Sequence, residues 1–187
     1  MSKKIGIMQP YFFPYLGYWQ LINAVDAYVV YDDVNFIKGG WINRNNILLN
    51  ATKHLITLPL EDASSFKLIN EISTTKKEIL KNKLLKTIKS AYQKAPYYEK
   101  IMPILESLIT DNSNIATLNY NAILAIKNYL NIQTEILLSS NIQKNNELKA
   151  QDKVIKTKQA YDSAVDVLQK LLDKRDAKRK GDLGMRL

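Results

Sequence analysis

Within the first 46 residues, three groups of side chains are of types that do chemistry. The first is Gln9, Tyr11, Tyr15, Gly17 and Tyr18, set in the run Met8-Gln9-Pro10-Tyr11-Phe12-Phe13-Pro14-Tyr15-Leu16-Gly17-Tyr18. Pro10 and Pro14 fix φ and restrict the residues before them, so this turn is stiff. Gly17 permits a close backbone approach or a tight helix start. A strand, a rigid turn and a helix N-terminus in succession present backbone N–H groups that can hold an anion. The alternative is a hydrophobic loop plugging the core, but so many phenols beside a glutamine favour recognition.

The second group is Asp32-Asp33, directly after an apolar strand. Open α/β sheets gather active-site groups at the C-terminal ends of their strands, where paired acids serve as general base, as metal ligands, or as acceptors for a ribose or amine. A solvated turn is the other reading. The third is Lys38-Gly39-Gly40-Trp41-Ile42-Asn43-Arg44-Asn45-Asn46. Arg44 offers a planar fork for phosphate or carboxylate, Trp41 a flat face for a sugar or base, and Lys38, Asn43 and Asn45 polar contacts. The order is not the GxxxxGK[ST] phosphate loop, and a plain hairpin with a surface arginine competes with a binding site.

Composition excludes other chemistries. The chain of 187 residues has no Cys and one His, His54. Disulfides, thiolate metal sites, Cys–His dyads and multi-His metal centres are ruled out, and no metal site is assigned. A serine triad would have to run through His54, which reads as a structural or exposed residue at the start of a strand. The net charge is +9, and residues 149–187 supply more than half of it with eleven Lys/Arg against six Asp/Glu. Scattered lysines amid Asn and Ile read as compositional bias rather than specific nucleic-acid binding. No apolar run approaches a membrane span, and the prolines interrupt any leader-like segment, so a cytoplasmic protein is expected.

These residues need elements to position them. Lys4–Met8 reads as a strand, Tyr15–Ala24 as a short helix and Asp26–Tyr31 as a central strand, together a βαβ unit. Trp41–Leu49 and His54–Leu60, joined by Asn50–Lys53, read as an antiparallel hairpin. A short strand is expected at Lys67–Ile72. Thr74 or Thr75 caps a helix to about Gln93, with Ile79, Leu80, Leu84, Leu85 and Ile88 as its apolar stripe and its lysines solvated. Pro96 opens a helix to Ile109, kinked or ended by Pro103. Tyr92, Tyr97 and Tyr98 read as packing the junction between these two helices. Ile115–Leu130 is helical, and Ile132–Leu138 is a strand ending in Ser139-Ser140. Lys149–Lys174 reads as a basic amphipathic helix able to pack on the domain or on a second copy, and Arg175–Leu187 as a loose end. The fold class is α/β: a Rossmann-like open sheet beginning with a βαβ unit, with an antiparallel hairpin insertion and a helical C-terminal half. Residues 1–148 form the α/β domain and 149–187 an appended basic segment.

The runs MQPYFFPYLGYWQLI, DAYVVYDDVNFIKGGWINRN and YQKAPYYEKIMPILESL resemble the WbqC-like protein family from about residue 4 to about residue 150. The resemblance implies a cytoplasmic bacterial protein of O-antigen-type surface polysaccharide biosynthesis. It implies a pathway more firmly than a reaction. By analogy of fold, Tyr15-Leu16-Gly17-Tyr18 also stands where nucleotidyltransferases carry HxGH. Tyrosine cannot bring that motif's positive charge to a phosphoryl group, so nucleotidyl transfer is put in doubt while nucleotide-sugar binding is not. After about residue 150 the chain departs from the family pattern, leaving a truncation, a frameshifted end or a true variant as alternatives. Taken together, these features imply a transferase on a nucleotide-linked sugar. The runner-up is a non-catalytic nucleotide-sugar-binding or scaffold protein of the same pathway, partnering itself or a pathway protein through the C-terminal helix. No cofactor is indicated.

Overall fold

The computed structural model describes residues 4–142 and Gln159. The chain divides after Ser140 into two units, and the elements described here belong to the first. Apart from Gln159, which is helical, the helix expected at 149–174 lies outside the described residues, as do the loose end beyond it and the boundary between 148 and 149. Across residues 4–142 the architecture is mixed α/β: a small parallel sheet, a separate antiparallel hairpin and four α-helices.

Strands β1 (Ile5–Met8) and β2 (Ala27–Val30) flank helix α1 (Leu16–Ala24) and pair in parallel, Ile5 opposite Ala27 and Met8 opposite Val30. Strand β5 (Glu135–Leu138) joins the other edge of β2, also in parallel, giving the order β1-β2-β5. All four residues of β2 are buried, as an uninterrupted apolar run requires of a central strand. Strands β3 (Arg44–Leu49) and β4 (Thr52–Thr57) form the hairpin. Its turn is tighter than the expected four-residue linker: Leu49 pairs with Thr52, and Asn50 and Ala51 both take positive φ, the mark of a two-residue hairpin turn.

Helices α2 (Glu78–Tyr92), α3 (Tyr98–Thr110) and α4 (Ile115–Tyr129) follow. Two apolar clusters result. One packs Tyr18 and Ile22 of α1 and Ile123 of α4 against Tyr28, Val30 and Ile136 of the sheet. The other joins Ile56 and Leu58 of the hairpin region to Leu84, Leu85 and Ile88 of α2, Met102 and Ile109 of α3, and Ile115 and Leu118 of α4. Helix α4 thus contributes to both. Its buried Asn119 donates to the Ile42 carbonyl at 2.8 Å, tying it to the segment before β3.

Several local expectations are corrected. Lys67–Ile72 is not a strand. Leu68 makes one bridge with Asn35, and Ile69–Glu71 then closes into a 3-10 turn, because the Glu71 carboxylate accepts the Leu68 N–H at 2.8 Å. Thr74 and Thr75 do not cap α2. Both are buried in an extended segment, where Thr74 Oγ1 donates to the Ser113 carbonyl and Thr75 N–H to the Pro59 carbonyl, and the helix begins at Glu78. Pro103 neither ends nor splits α3. It lies in the exposed face, where the carbonyl one turn back can bond water instead of the missing N–H. Among the described residues no helix is long and apolar enough to cross a membrane.

The late start of α2 rotates its stripe. Ile79 and Leu80 are exposed, and the buried face is Lys81, Leu84, Leu85 and Ile88. Lys81, expected among solvated lysines, is 2% exposed. Its Nζ donates to the Thr110 carbonyl (3.1 Å), the Asp111 carbonyl (2.8 Å) and Asn112 Oδ1 (3.0 Å). These acceptors close the C-terminal end of α3, where a cation also meets the negative end of the helix dipole. Burial holds the Lys81 ammonium below the usual lysine range, with Asp111, Glu78 and Glu61 opposing the shift. Lys81→Met leaves three acceptors without their donor, and urea unfolding should show a loss of about 2–3 kcal/mol at neutral pH. Between the lowered folded value and the ordinary lysine range, the unfolded chain binds more protons here. This group's contribution therefore grows as pH rises through that window. The gap between wild type and Lys81→Met should widen accordingly, and a gap that narrows would contradict the assignment.

Candidate functional site

The turn after β1 is strained and tied down at almost every carbonyl. Phe13 has φ +46, a left-handed conformation that costs a bulky residue about 1–2 kcal/mol. Asn45 Nδ2 donates to the Phe12 carbonyl at 3.0 Å and to the Phe13 carbonyl at 2.6 Å, while Asn45 Oδ1 accepts the Asn46 N–H. Tyr18 OH donates to the Gln9 carbonyl and Trp19 Nε1 to the Pro14 carbonyl, each at 3.2 Å. Phe12 N–H donates to the Trp41 carbonyl at 2.9 Å. The polar ends of these aromatic residues and of Asn45 therefore fix the turn itself. Tyr18 is a core residue, 1% exposed against Tyr28, and burial pushes its phenol up to about 12.

Three rings remain outside that network of ties. Tyr11 lies parallel to Trp41, with centroids 6.1 Å apart and 3° between planes, and meets Tyr15 edge-on at 6.0 Å. Tyr15 is 61% exposed and Trp41 41%. The Arg44 guanidinium lies over Trp41, its carbon 5.5 Å from the ring centroid, and its Nε donates to the Gly40 carbonyl at 2.8 Å. The turn before it needs its glycines. Gly39 has φ +77, and a Cβ on Gly40 would stand 3.1 Å from the Ile37 carbonyl oxygen.

Lys38, Gly39, Asn43, Arg44 and Thr57 line an open polar hollow of about 360 Å³. Lys38 is exposed, whereas Asn43 is held by the hairpin, its Nδ2 donating to the Leu58 carbonyl. Half-buried Gln9 follows β1, and Gly17 lies under the Tyr15 ring in the first turn of α1. The structure thus brings Tyr11, Tyr15, Trp41 and Arg44 into one chain of contacts. It groups Lys38, Asn43 and Arg44 around the hollow.

Asp32 and Asp33 line neither this hollow nor the larger apolar one, and are 2% and 5% exposed. Both meet the serines that follow β5. Asp32 Oδ1 accepts from Ser139 Oγ (3.0 Å) and Ser140 N–H (2.9 Å), and its Oδ2 from Ser140 Oγ (2.7 Å) and Asn70 Nδ2 (3.3 Å). Three of these donors belong to Asp32 alone, while the single Ser139 hydroxyl proton is shared with Asp33, and the arrangement fastens the end of β5 to the end of β2. Asp33 Oδ1 also makes a short contact with Ser139 Oγ. Among the described residues no three His, Cys, Asp or Glu cluster to hold a metal.

Sequence reasoning overlooked Ser139, Ser140 and Asn70 as partners of the aspartates. Of the tyrosines near Pro96 expected to pack the helix junction, Tyr98 does pack against the larger apolar cluster. Tyr92, Tyr97 and Tyr98 also line an apolar cleft of about 520 Å³ with Phe13, Tyr15 and Asn45, and Tyr97 is 63% exposed. His54 is exposed, as expected.

The sequence pattern of the WbqC-like protein family matches residues 9–171. It continues past residue 150, where the resemblance was expected to end, so any departure lies further on. The uncharacterized protein Rv1507c of Mycobacterium tuberculosis is 29% identical over 137 residues, covering 72% of this chain and 59% of that protein. The chain thus spans about three fifths of that relative's length. No solved structure matches.

Asn45 yields a direct test of the strained turn. Asn45→Ala removes two donors and should cost about 2–3 kcal/mol in denaturant unfolding. The nearly isosteric Asn45→Asp should cost more at pH 7, because it turns a carboxylate toward two carbonyl oxygens. An aspartate variant as stable as wild type would show that the amide does not hold the turn.

Proposed function

The chain belongs to the WbqC-like protein family, and from that premise we propose that it acts in bacterial surface polysaccharide (O-antigen type) biosynthesis as a transferase on a nucleotide-linked sugar. The observation that carries the binding half is Arg44: a guanidinium hooked to the Gly40 carbonyl, its carbon 5.5 Å over the Trp41 ring, at the edge of a hollow that also holds Lys38. A pre-oriented planar cation beside an exposed ring suits a phosphate joined to a flat or ring-shaped group. In this reading Arg44 and Lys38 take the phosphates. Trp41, with Tyr11 and Tyr15, takes the base or sugar. Asn43 lines the hollow, and Gln9, Gly17, Tyr18 and Asn45 belong to or hold the adjoining turn that carries Tyr11 and Tyr15. The parallel strands are taken as the start of a Rossmann-like sheet, and the protein as cytoplasmic, where nucleotide-sugars are made. Asp32 or Asp33 is the proposed base.

The burial of both carboxylates favours a second reading, a non-catalytic nucleotide-sugar-binding protein of the same pathway. Incubating the protein with a bound nucleotide-sugar and candidate donors, followed by mass spectrometry, separates the two. A modified sugar supports the transferase, and an unchanged sugar with intact binding supports the binding protein. Calorimetry over a panel of nucleotide-sugars tests the site itself. Arg44→Ala should weaken binding by about 1.5–3 kcal/mol, the worth of a charge-assisted hydrogen bond. Unchanged affinity would remove Arg44 from the site.

A further inference from the structure

The apolar cleft lies on the other side of the same turn, and its described lining residues carry no charge. Its floor is aliphatic, from Ile47 and Ile56 of the hairpin, Ile88 of α2, and Ile101, Met102 and Leu105 of α3. Tyr15, Tyr92 and Tyr97 at its edge are exposed. Polar side-chain groups deeper in the lining are already engaged. Trp19 Nε1 is bonded to the Pro14 carbonyl and Asn45 Nδ2 to those of Phe12 and Phe13. Among the described residues no acid, lysine or arginine lines the cleft. Its volume of about 520 Å³ falls within the range of small-molecule sites. A site of this size with a mainly aliphatic lining, exposed phenols at its edge and few polar groups suits an uncharged, flexible hydrocarbon that enters past the tyrosines.

We propose that this cleft binds the acyl chain of a second substrate, a fatty acyl thioester, whose carbonyl carbon an amine or hydroxyl of the sugar attacks, forming the amide or ester as the C–S bond breaks and the thiol leaves with the proton. The proposal rests on the transferase reading for its purpose, since Tyr15 walls the cleft and also touches Tyr11 of the ring chain that leads to Arg44. Two ligands would thus meet across one turn. Gly17 sets the position of the shared wall. A Cβ there would lie 2.5 Å from Tyr15 Cε2, so any side chain pushes the ring off its seat.

The test is a series of coenzyme A thioesters, acetyl, hexanoyl and decanoyl, against free coenzyme A, followed by calorimetry and by the fluorescence of Trp19 in the lining. Affinity should rise about two- to fourfold per added methylene, the increment for burying a CH₂. A flat series overturns the proposal, as does benzoyl-CoA binding more tightly than decanoyl-CoA. Ile101→Trp fills the cleft and should abolish the dependence on chain length while leaving nucleotide-sugar affinity as in wild type. Should that variant not fold, Gly17→Ala decides instead. It displaces an exposed ring rather than the core, and should cut decanoyl-CoA affinity at least fivefold with circular dichroism unchanged. A wild-type chain-length slope in the folded variant overturns the proposal. Loss of nucleotide-sugar binding with the slope intact would sink the transferase reading alone, and a flat slope with nucleotide-sugar binding intact would sink this one alone.

Discussion

A single side-chain amide, that of Asn45, bears on both faces of the candidate site. It spans from β3 to two successive carbonyls of the turn after β1, one of them belonging to Phe13 in its left-handed conformation. A bulky residue adopts that conformation only where its surroundings over-determine it. Two hydrogen bonds from one amide, together with the Tyr18 and Trp19 bonds on either side, supply that constraint. The result fixes the hairpin relative to the βαβ unit. On one side Tyr11 lies against Trp41 and Arg44, and on the other Tyr15 and Phe13 close the apolar cleft.

The remaining packing holds this arrangement from below. Helix α4 enters both apolar clusters, so the sheet and the hairpin share a support. Lys81 closes the end of α3 and keeps α2 and α3 in register, and both helices furnish the floor of the cleft. Polar groups inside this protein are mostly joints: Lys81 between helices, Asn119 between α4 and the segment before β3, and Asp32 between strand ends.

Much of the fold could be read from the chain because its signals were local. Pro10, Pro14 and Gly17 bounded the first turn, β2 was apolar throughout, and the spacing of Ile115, Leu118, Ile123 and Ile126 gave α4. Partnerships between distant segments could not be read. Nothing in Asp32-Asp33 announces Ser139 and Ser140, 107 residues on, so two acids after a strand looked free for chemistry. Lys81 looked solvated because its acceptors are carbonyls, which leave no mark in a sequence. The phenols and the indole of the first turn were legible as polar handles, but not as handles turned on their own backbone. For the candidate site, Arg44, Trp41 and Lys38 were recoverable from type and spacing. The cleft depended on how α2 and α3 meet the hairpin, which no pattern within one segment encodes.

The pairing of β2 with β5 also has a consequence in time. During synthesis the buried strand Ala27–Val30 can find β1 at once, but Glu135–Leu138 emerges more than a hundred residues later. At ribosomal rates of about 5–20 residues per second, one edge of an apolar strand waits on the order of ten seconds for its neighbour. A parallel partner so distant in the chain also brings a large loop-closure cost and slow folding. The nascent chain is therefore most open to wrong partners in the interval before Ser139 and Ser140 reach Asp32, and those hydroxyl and amide bonds set the moment at which the sheet can lock.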